Sequence, residues 1–272
     1  MKKLQNILPY FLMIVFLIGC YSCEKDSKSD IKGLVQKGPY INGTSIQMYE
    51  MDPALNQTGK VYNTQINNNR GSFEINNINL ASNFVEFIAN GYYFNEITGK
   101  LSPSQLTLYA LSDITDISTI NVNILTHLEK ERVEFLVRNG MSLSNAKKVA
   151  QSEILKVFGI NTDVGGKSEM LDITINKEEN AILLAISVIL QGDRSVASLT
   201  ELMADITSDI KGDGKIDDVS IIAELRRSAL SLDSLPRITM FLTKRYTELG
   251  LHPTIPEFEK YVNGFIAFSD KK

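Results

Sequence analysis

Only two histidines, His127 and His252, occur in this 272-residue chain, and both cysteines fall within its first 23 residues. Any catalytic or metal chemistry in the body must therefore come from one of those imidazoles or from carboxylates and hydroxyls. His127 and Glu131 stand four apart in a helical stretch, as a metal-binding pair would. No third ligand is evident nearby, whereas zinc sites need at least three from the protein. His252 sits before Pro253 in a loop-like segment. A Ser-His-Asp site would have to use one of these two, and no Gly-x-Ser-x-Gly elbow accompanies them. The P-loop spacing is not met around Gly165-Gly166 either. Carboxylates are plentiful, and nothing in the sequence singles out one pair.

The strongest metal-like pattern is Asp209-Ile-Lys-Gly-Asp213-Gly214-Lys-Ile-Asp217-Asp218. A calcium loop of the EF-hand type wants oxygen ligands at positions 1, 3, 5, 9 and 12, with glycine at 6. Counted from Asp209, positions 1, 5, 6 and 9 agree, but Lys211 and Ser220 occupy positions 3 and 12. An Asp-Gly turn joining two helices, with Asp217 or Asp218 as a cap, accounts for the same residues. The densest aromatic group is Tyr92-Tyr93-Phe94. Alternation along a strand sends adjacent side chains to opposite faces, so one ring could meet a sugar or peptide while the others pack. These three are the possible ligand contacts. No catalytic residue, metal site or cofactor is expected.

The N-terminus carries a different kind of chemistry. Lys2 and Lys3 precede an apolar run, Ile7–Gly19, too short to span a bilayer as a helix, which takes about 20 residues. A basic start, a short apolar core and a small residue before a cut describe an export leader. Leu17-Ile18-Gly19-Cys20 resembles the lipobox of bacterial lipoproteins. That resemblance implies cleavage before Cys20, diacylglycerol on its sulfur and a third acyl chain on the new amino group. Cys23, preceded by Ser22, is the alternative acylation site. Three chains would anchor firmly where one holds only marginally.

Loss of Lys2 and Lys3 with the leader moves the net charge from −4 to −6, which argues against nucleic acid as a partner. Without body cysteines no internal disulfide can form. Glu24–Asp30 is polar and charged, the composition of a tether. The chain therefore divides into a leader (1–19), a tether (20–30), a β-rich stretch (31–122) and a helical stretch (123–268). In surface lipoproteins of the Bacteroidota type, which this N-terminus resembles, acidic residues soon after the lipidated cysteine accompany export to the outside. Glu24 and Asp26 fit that role, and Tyr21 is not the aspartate of inner-membrane retention. The expected location is the outer membrane, lipid-anchored, with the cell surface as a further expectation.

Between Ile31 and Val122, short β-branched and aromatic runs alternate with Gly, Asn, Asp and Pro, the punctuation of strands. The predicted strands are Ile31–Gln36, Thr44–Met51, Val61–Ile66, Ser72–Ile75, Phe84–Ala89, Tyr92–Asn95, Thr107–Leu111 and Ile120–Asn123. Asn67–Gly71 supplies a tight turn. Gly33-Leu34-Val35, Gly43–Met48, Thr64, Gly71–Ile75 and Gly91-Tyr92 follow one another in the order of the carboxypeptidase regulatory-like family. The stretch resembles that family, which implies a prealbumin-like antiparallel β-sandwich acting as a non-catalytic spacer or interaction module.

From Ile124 the apolar period becomes helical. Leu125, Leu128, Arg132 and Leu136 sit near helical spacing, and Gly140 follows as a stop. Ser144–Phe158 follows with Gly159 as its cap. Glu178–Leu190 is apolar nearly all round, the mark of a buried helix. Ser198–Glu201 and Thr254–Glu257 both read as capping boxes. With Asp217–Leu230, Pro236–Leu249 and Pro256–Phe265, about seven helices are predicted. The segment from Asn121 to Gly159 is similar to a strand, Leu-Thr, helix module that follows β-sandwich domains in bacterial surface lipoproteins.

The expected fold class is α+β, a β-sandwich followed by an all-α helical bundle. The expected role is not enzymatic: binding, scaffolding or assembly at the envelope, through the membrane anchor and an envelope protein or glycan partner. Two alternatives stand beside it, a glycan- or peptide-capturing component of an uptake system and an envelope hydrolase using carboxylates.

Overall fold

The computed structural model describes residues 29–162 and 164–271. The leader, Cys20, Cys23 and most of the tether lie outside the described residues. Nine strands come first: β1 (Ser29–Gln36), β2 (Ser45–Met51), β3 (Gln57–Gln65), β4 (Ser72–Ile78), β5 (Phe84–Gly91), β6 (Phe94–Asn95), β7 (Lys100–Leu101), β8 (Leu106–Asp113) and β9 (Val122–Asn123). They form a four-stranded sheet ordered β3-β2-β5-β8, a three-stranded sheet ordered β4-β1-β9 and the small hairpin β6-β7. Alternation decides the inner faces. Ile46 and Met48 on β2, Phe73 and Ile75 on β4, and Val85, Phe87 and Ala89 on β5 are buried, while Gln47, Glu74 and Asn90 face outward or lie half-exposed.

All eight predicted runs contain a strand, and β7 falls outside them. All the strand pairings are antiparallel except one: β9 runs parallel to β1, with Val35 opposite Val122 and Gln36 opposite Asn123. The cause is topological. The chain leaves β8 in one sheet and crosses over residues 114–121 to the other, and a crossover delivers a strand in parallel where a tight hairpin cannot.

Seven α-helices follow: α1 (Ile124–Arg138), α2 (Leu143–Val157), α3 (Glu178–Gln191), α4 (Val196–Ile210), α5 (Val219–Leu230), α6 (Leu235–Glu248) and α7 (Glu259–Ser269), with a 3-10 turn at Ser168–Met170. Their starts differ from the capping boxes read in the sequence. Helix α4 begins before Ser198, because Ser195 Oγ accepts the Ser198 amide at 3.1 Å and caps the first turn. Helix α7 begins at Glu259, with no side-chain cap. Pro256 disfavours helical backbone at Ile255, and the Thr254 amide is drawn off to Thr174 O at 3.0 Å.

The change from strand to helix falls at the β9–α1 junction, where Asn123 and Thr126 exchange side-chain and backbone hydrogen bonds in a capping box. Buried side chains form one continuous cluster through that junction, from Val35, Phe73 and Phe87 to Leu128, Leu184 and Phe265. No single described helix is long and apolar enough to cross a membrane. Instead α3 is the central core helix, buried from Asn180 to Gln191.

Candidate functional site

Helix α2, residues 160–162 and 164–168, and Asp113 and Asp116 at the end of β8 and beyond it border a cleft of about 770 Å³. Its floor is charged. Glu129 comes from α1, Lys147 and Gln151 from α2, and Ser168 from the 3-10 turn. The turn is held in place from the β9 side. Asn123 Nδ2 donates to Ser168 O at 2.8 Å, the Asn121 amide to Glu169 O at 2.8 Å, and Asn121 Nδ2 to Leu171 O at 2.9 Å. Gln151 Nε2 then donates to Ser168 Oγ at 2.8 Å and to Gly166 O at 3.0 Å, while Ser168 Oγ donates to Glu129 Oε1.

One ammonium serves two carboxylates here. Lys147 Nζ donates to Leu111 O at 2.7 Å and lies 2.9 Å from Glu169 Oε2, but 3.9 Å from Glu129 Oε2. Glu169 also accepts from Ser112 Oγ at 2.9 Å. Neither Oε2 has an aligned hydrogen-bond donor, and Glu129 lacks the close cationic contact that Glu169 has. Burial pushes the Glu129 carboxyl up to about 7 with Glu169 adding to the rise, against the pull of Lys147 and Ser168. Burial works the other way on Lys147, but the two carboxylates outweigh it and hold its pKa above the ordinary lysine value. At the mouth stand Asp113 and Asp116 beside Lys148 and Lys167. Among the described residues none of these four makes an ion pair.

The residues singled out in the sequence lie elsewhere. Tyr92 is 41 % exposed, but Tyr93 and Phe94 are buried. Tyr93 donates its hydroxyl to Gln191 Oε1 at 2.8 Å, and the Arg245 guanidinium lies 5.5 Å from the Phe94 ring centre. The three therefore make no common aromatic surface. His127 packs against Tyr109 with ring centres 5.4 Å apart, and its buried Nδ1 has no partner. Burial, with Lys130 close by, lowers its pKa to about 4. Glu131 points instead to Lys211, at 3.1 Å. In the Asp209 loop, Asp209 Oδ2 accepts the Asp217 and Asp218 amides at 2.9 and 3.1 Å, and Asp218 caps α5. The loop is clamped from α1, where Arg132 donates to Lys211 O and Gly212 O while pairing with Glu153. Among the described residues no group of three His, Cys, Asp or Glu is placed to hold a metal ion.

A second buried charge pair lies away from the cleft. Lys37 Nζ, just past β1, is 2.7 Å from Glu96 Oε1, just past β6, and both side chains are fully buried. Ser187 Oγ on α3 donates to the same carboxylate oxygen at 3.0 Å, so the pair ties the strands to the central helix.

The cleft floor had one sequence signal. Lys147 and Gln151 share a helical face with Leu143, Ala146, Ala150 and Ile154, which puts polar groups where apolar ones belong. Nothing comparable flags Glu169, whose burial depends on the turn docking against β8. No known family model matches the chain, and no curated protein or solved structure matches it.

Proposed function

We propose that this is a lipid-anchored protein of the outer membrane whose body captures a small molecule without chemically transforming it. The cleft over Glu129 carries the reading: its volume falls within the ~300–1,000 Å³ of small-molecule sites, and a lining rich in polar and charged groups is joined by the apolar side chains of Leu143, Leu155, Ile160 and Val164. The Leu17–Cys20 segment supplies the anchor, with Cys20 acylated, and Glu24 and Asp26 favour the outer face. The β-rich half is read as a prealbumin-like sandwich of the carboxypeptidase regulatory-like kind. Support for that comes from two sheets whose buried faces contribute Ile46, Phe87, Ile31 and Phe73 to one cluster. In this reading the sandwich is a support, and the helices supply the site.

A hydrolase would draw on the same Glu129, whose proton equilibrates near neutrality. It would also need a second carboxylate free to act. Glu169 is fully buried and held by Lys147 and Ser112, which leaves Asp113 and Asp116 as the described carboxylates of the cleft that could take that part.

Two measurements test the two halves of the reading. Metabolic labelling with an alkyne fatty acid should tag the wild type and spare Cys20→Ala; equal labelling of both refutes anchoring through Cys20. For capture, Ser152 is an exposed residue of α2 on the cleft wall, so Ser152→Trp should fill the cleft while leaving the fold intact. Native mass spectrometry of protein taken from cells should find a small molecule on the wild type and none on this variant. Identical spectra would remove the cleft from the function.

A further inference from the structure

Among the described residues that line the cleft, the carboxylates Glu129, Asp113 and Asp116 equal in number the ammonium groups Lys147, Lys148 and Lys167. They are not equivalent. Lys147 is engaged by Glu169 and Leu111 O, which leaves Glu129 as a buried carboxylate with an undonated Oε2 and no cation closer than 3.9 Å. Buried charges in proteins are normally paired, so the cleft floor is short of one positive donor. At the mouth both signs are present, Asp113 and Asp116 as well as two cations. Lys148 and Lys167 are exposed and unpaired among the described residues, and strongly hydrated ammonium groups of this kind hold anions as point charges.

A ligand that completes this arrangement carries an ammonium at one end and a carboxylate at the other. Resting on the capture reading above, we propose that the cleft binds short peptides as zwitterions, with the free amino terminus at Glu129 and the free carboxylate at Lys148 and Lys167. The cavity volume of about 770 Å³ suits a ligand larger than one amino acid. Leu143, Leu155 and Val164 on its walls offer side chains an apolar surface without selecting one in particular.

Binding has a proton signature. The groups facing Glu129 are Lys147 and Gln151 from α2, and Ser168 and Glu169 from the turn. A ligand ammonium holds Glu129 ionised. With its pKa near 7, about half a proton is released per peptide bound at neutral pH.

Isothermal titration of the mature protein with trialanine, N-acetyltrialanine and trialaninamide tests this, each in two buffers of different ionisation enthalpy. Trialanine should bind with proton release, and each blocked peptide at least about tenfold more weakly, the effect of losing one charged contact of about 1.4 kcal/mol. Glu129→Gln should weaken trialanine by a similar factor, abolish the proton release and remove the penalty for acetylation. The surface variant Lys148→Ala/Lys167→Ala, which leaves the floor untouched, should remove the penalty for amidation. Equal binding of trialanine and its acetyl derivative, unchanged binding by Glu129→Gln, or no binding of trialanine each overturns the proposal. If a cell-derived ligand is still lost in Ser152→Trp while trialanine fails to bind, the zwitterion assignment falls and the capture reading stands.

Discussion

Substitution of Lys37 by methionine removes one charge from the most enclosed ion pair among the described residues. The ammonium and the Glu96 carboxylate are 2.7 Å apart with no exposure on either side chain. Once Lys37 is gone, Glu96 retains Ser187 Oγ at 3.0 Å on one oxygen and no hydrogen-bond donor on the other. Leaving a buried charge unpartnered costs about 3–5 kcal/mol. The loss also includes the ammonium's approach to the Tyr93 ring, at 5.4 Å. The pair itself is no great source of stability. Burial lowers the Lys37 pKa below its ordinary value despite the opposing attraction of Glu96, so desolvation outweighs the attraction at this site. Lys37→Met/Glu96→Gln should therefore recover most of what Lys37→Met loses. Urea unfolding followed by far-ultraviolet circular dichroism reads both. With an m-value of about 3 kcal/mol/M, a 4 kcal/mol loss lowers the midpoint by about 1.3 M. A shift below about 0.3 M for Lys37→Met, or a double variant no better than the single one, would refute the reasoning.

Gly33 is closed to any side chain, since a Cβ there would stand 1.7 Å from Ile120 O. That oxygen belongs to a segment bonded to β1 through Lys32 N to Ser118 O and Ile120 N to Lys32 O. Gly33→Ala must therefore push the crossover off the sheet, and thermal melts should show a loss of about 3 kcal/mol or more; a loss under 1 kcal/mol contradicts the packing. Two of the perturbed groups on α1 predict opposing pH effects. His127, lowered from 6.5 to about 4, contributes stability that is present above pH 6.5 and lost as pH falls toward 4. Glu129, raised from 4.5 to about 7, contributes stability that is present below pH 4.5 and lost as pH rises through 7. Between pH 7 and pH 5, relative to wild type, His127→Phe should gain about 2 kcal/mol and Glu129→Gln lose about 2 kcal/mol. Denaturation midpoints at the two pH values decide it, and shifts of the same sign would overturn the assignment.

What the sequence makes legible follows from the range of the forces involved. Alternation in Ser72–Ile75 and the helical stripe of Ala146, Ala150 and Ile154 are local signals, and each produces the element it implies. The start of α4 is misread because Ser198 with Glu201 fits a capping box as a pattern, although Ser195 reaches the first free amides sooner. At Thr254 the pattern again fits, but Pro256 and the backbone bond to Thr174 hold the chain out of the helix. The parallel pairing of β9 has no local signal, since it is fixed by where the crossover lands.

The candidate site is less legible for the same reason. Glu129, Lys147 and Glu169 are distant in sequence; the packing of α1 on α2 brings the first two together, and Asn121 and Asn123 hold the turn that adds Glu169. Any one of them, read alone, is an ordinary charged residue of an acidic protein. Lys147 and Gln151 do leave a trace, as polar residues on a face whose other positions are apolar. Such a conflict between local pattern and burial is where a fold departs from the simplest sequence that would satisfy it. Tyr92-Tyr93-Phe94 shows the converse. It is conspicuous as a string of letters, but its rings have ordinary work to do in the core, and only Tyr92 reaches solvent. A charged residue on the apolar face of a helix is thus a better guide to a site in this chain than a cluster of aromatic residues on a strand. The first can be tolerated only if other elements supply its partners, whereas the second is stabilised by packing alone.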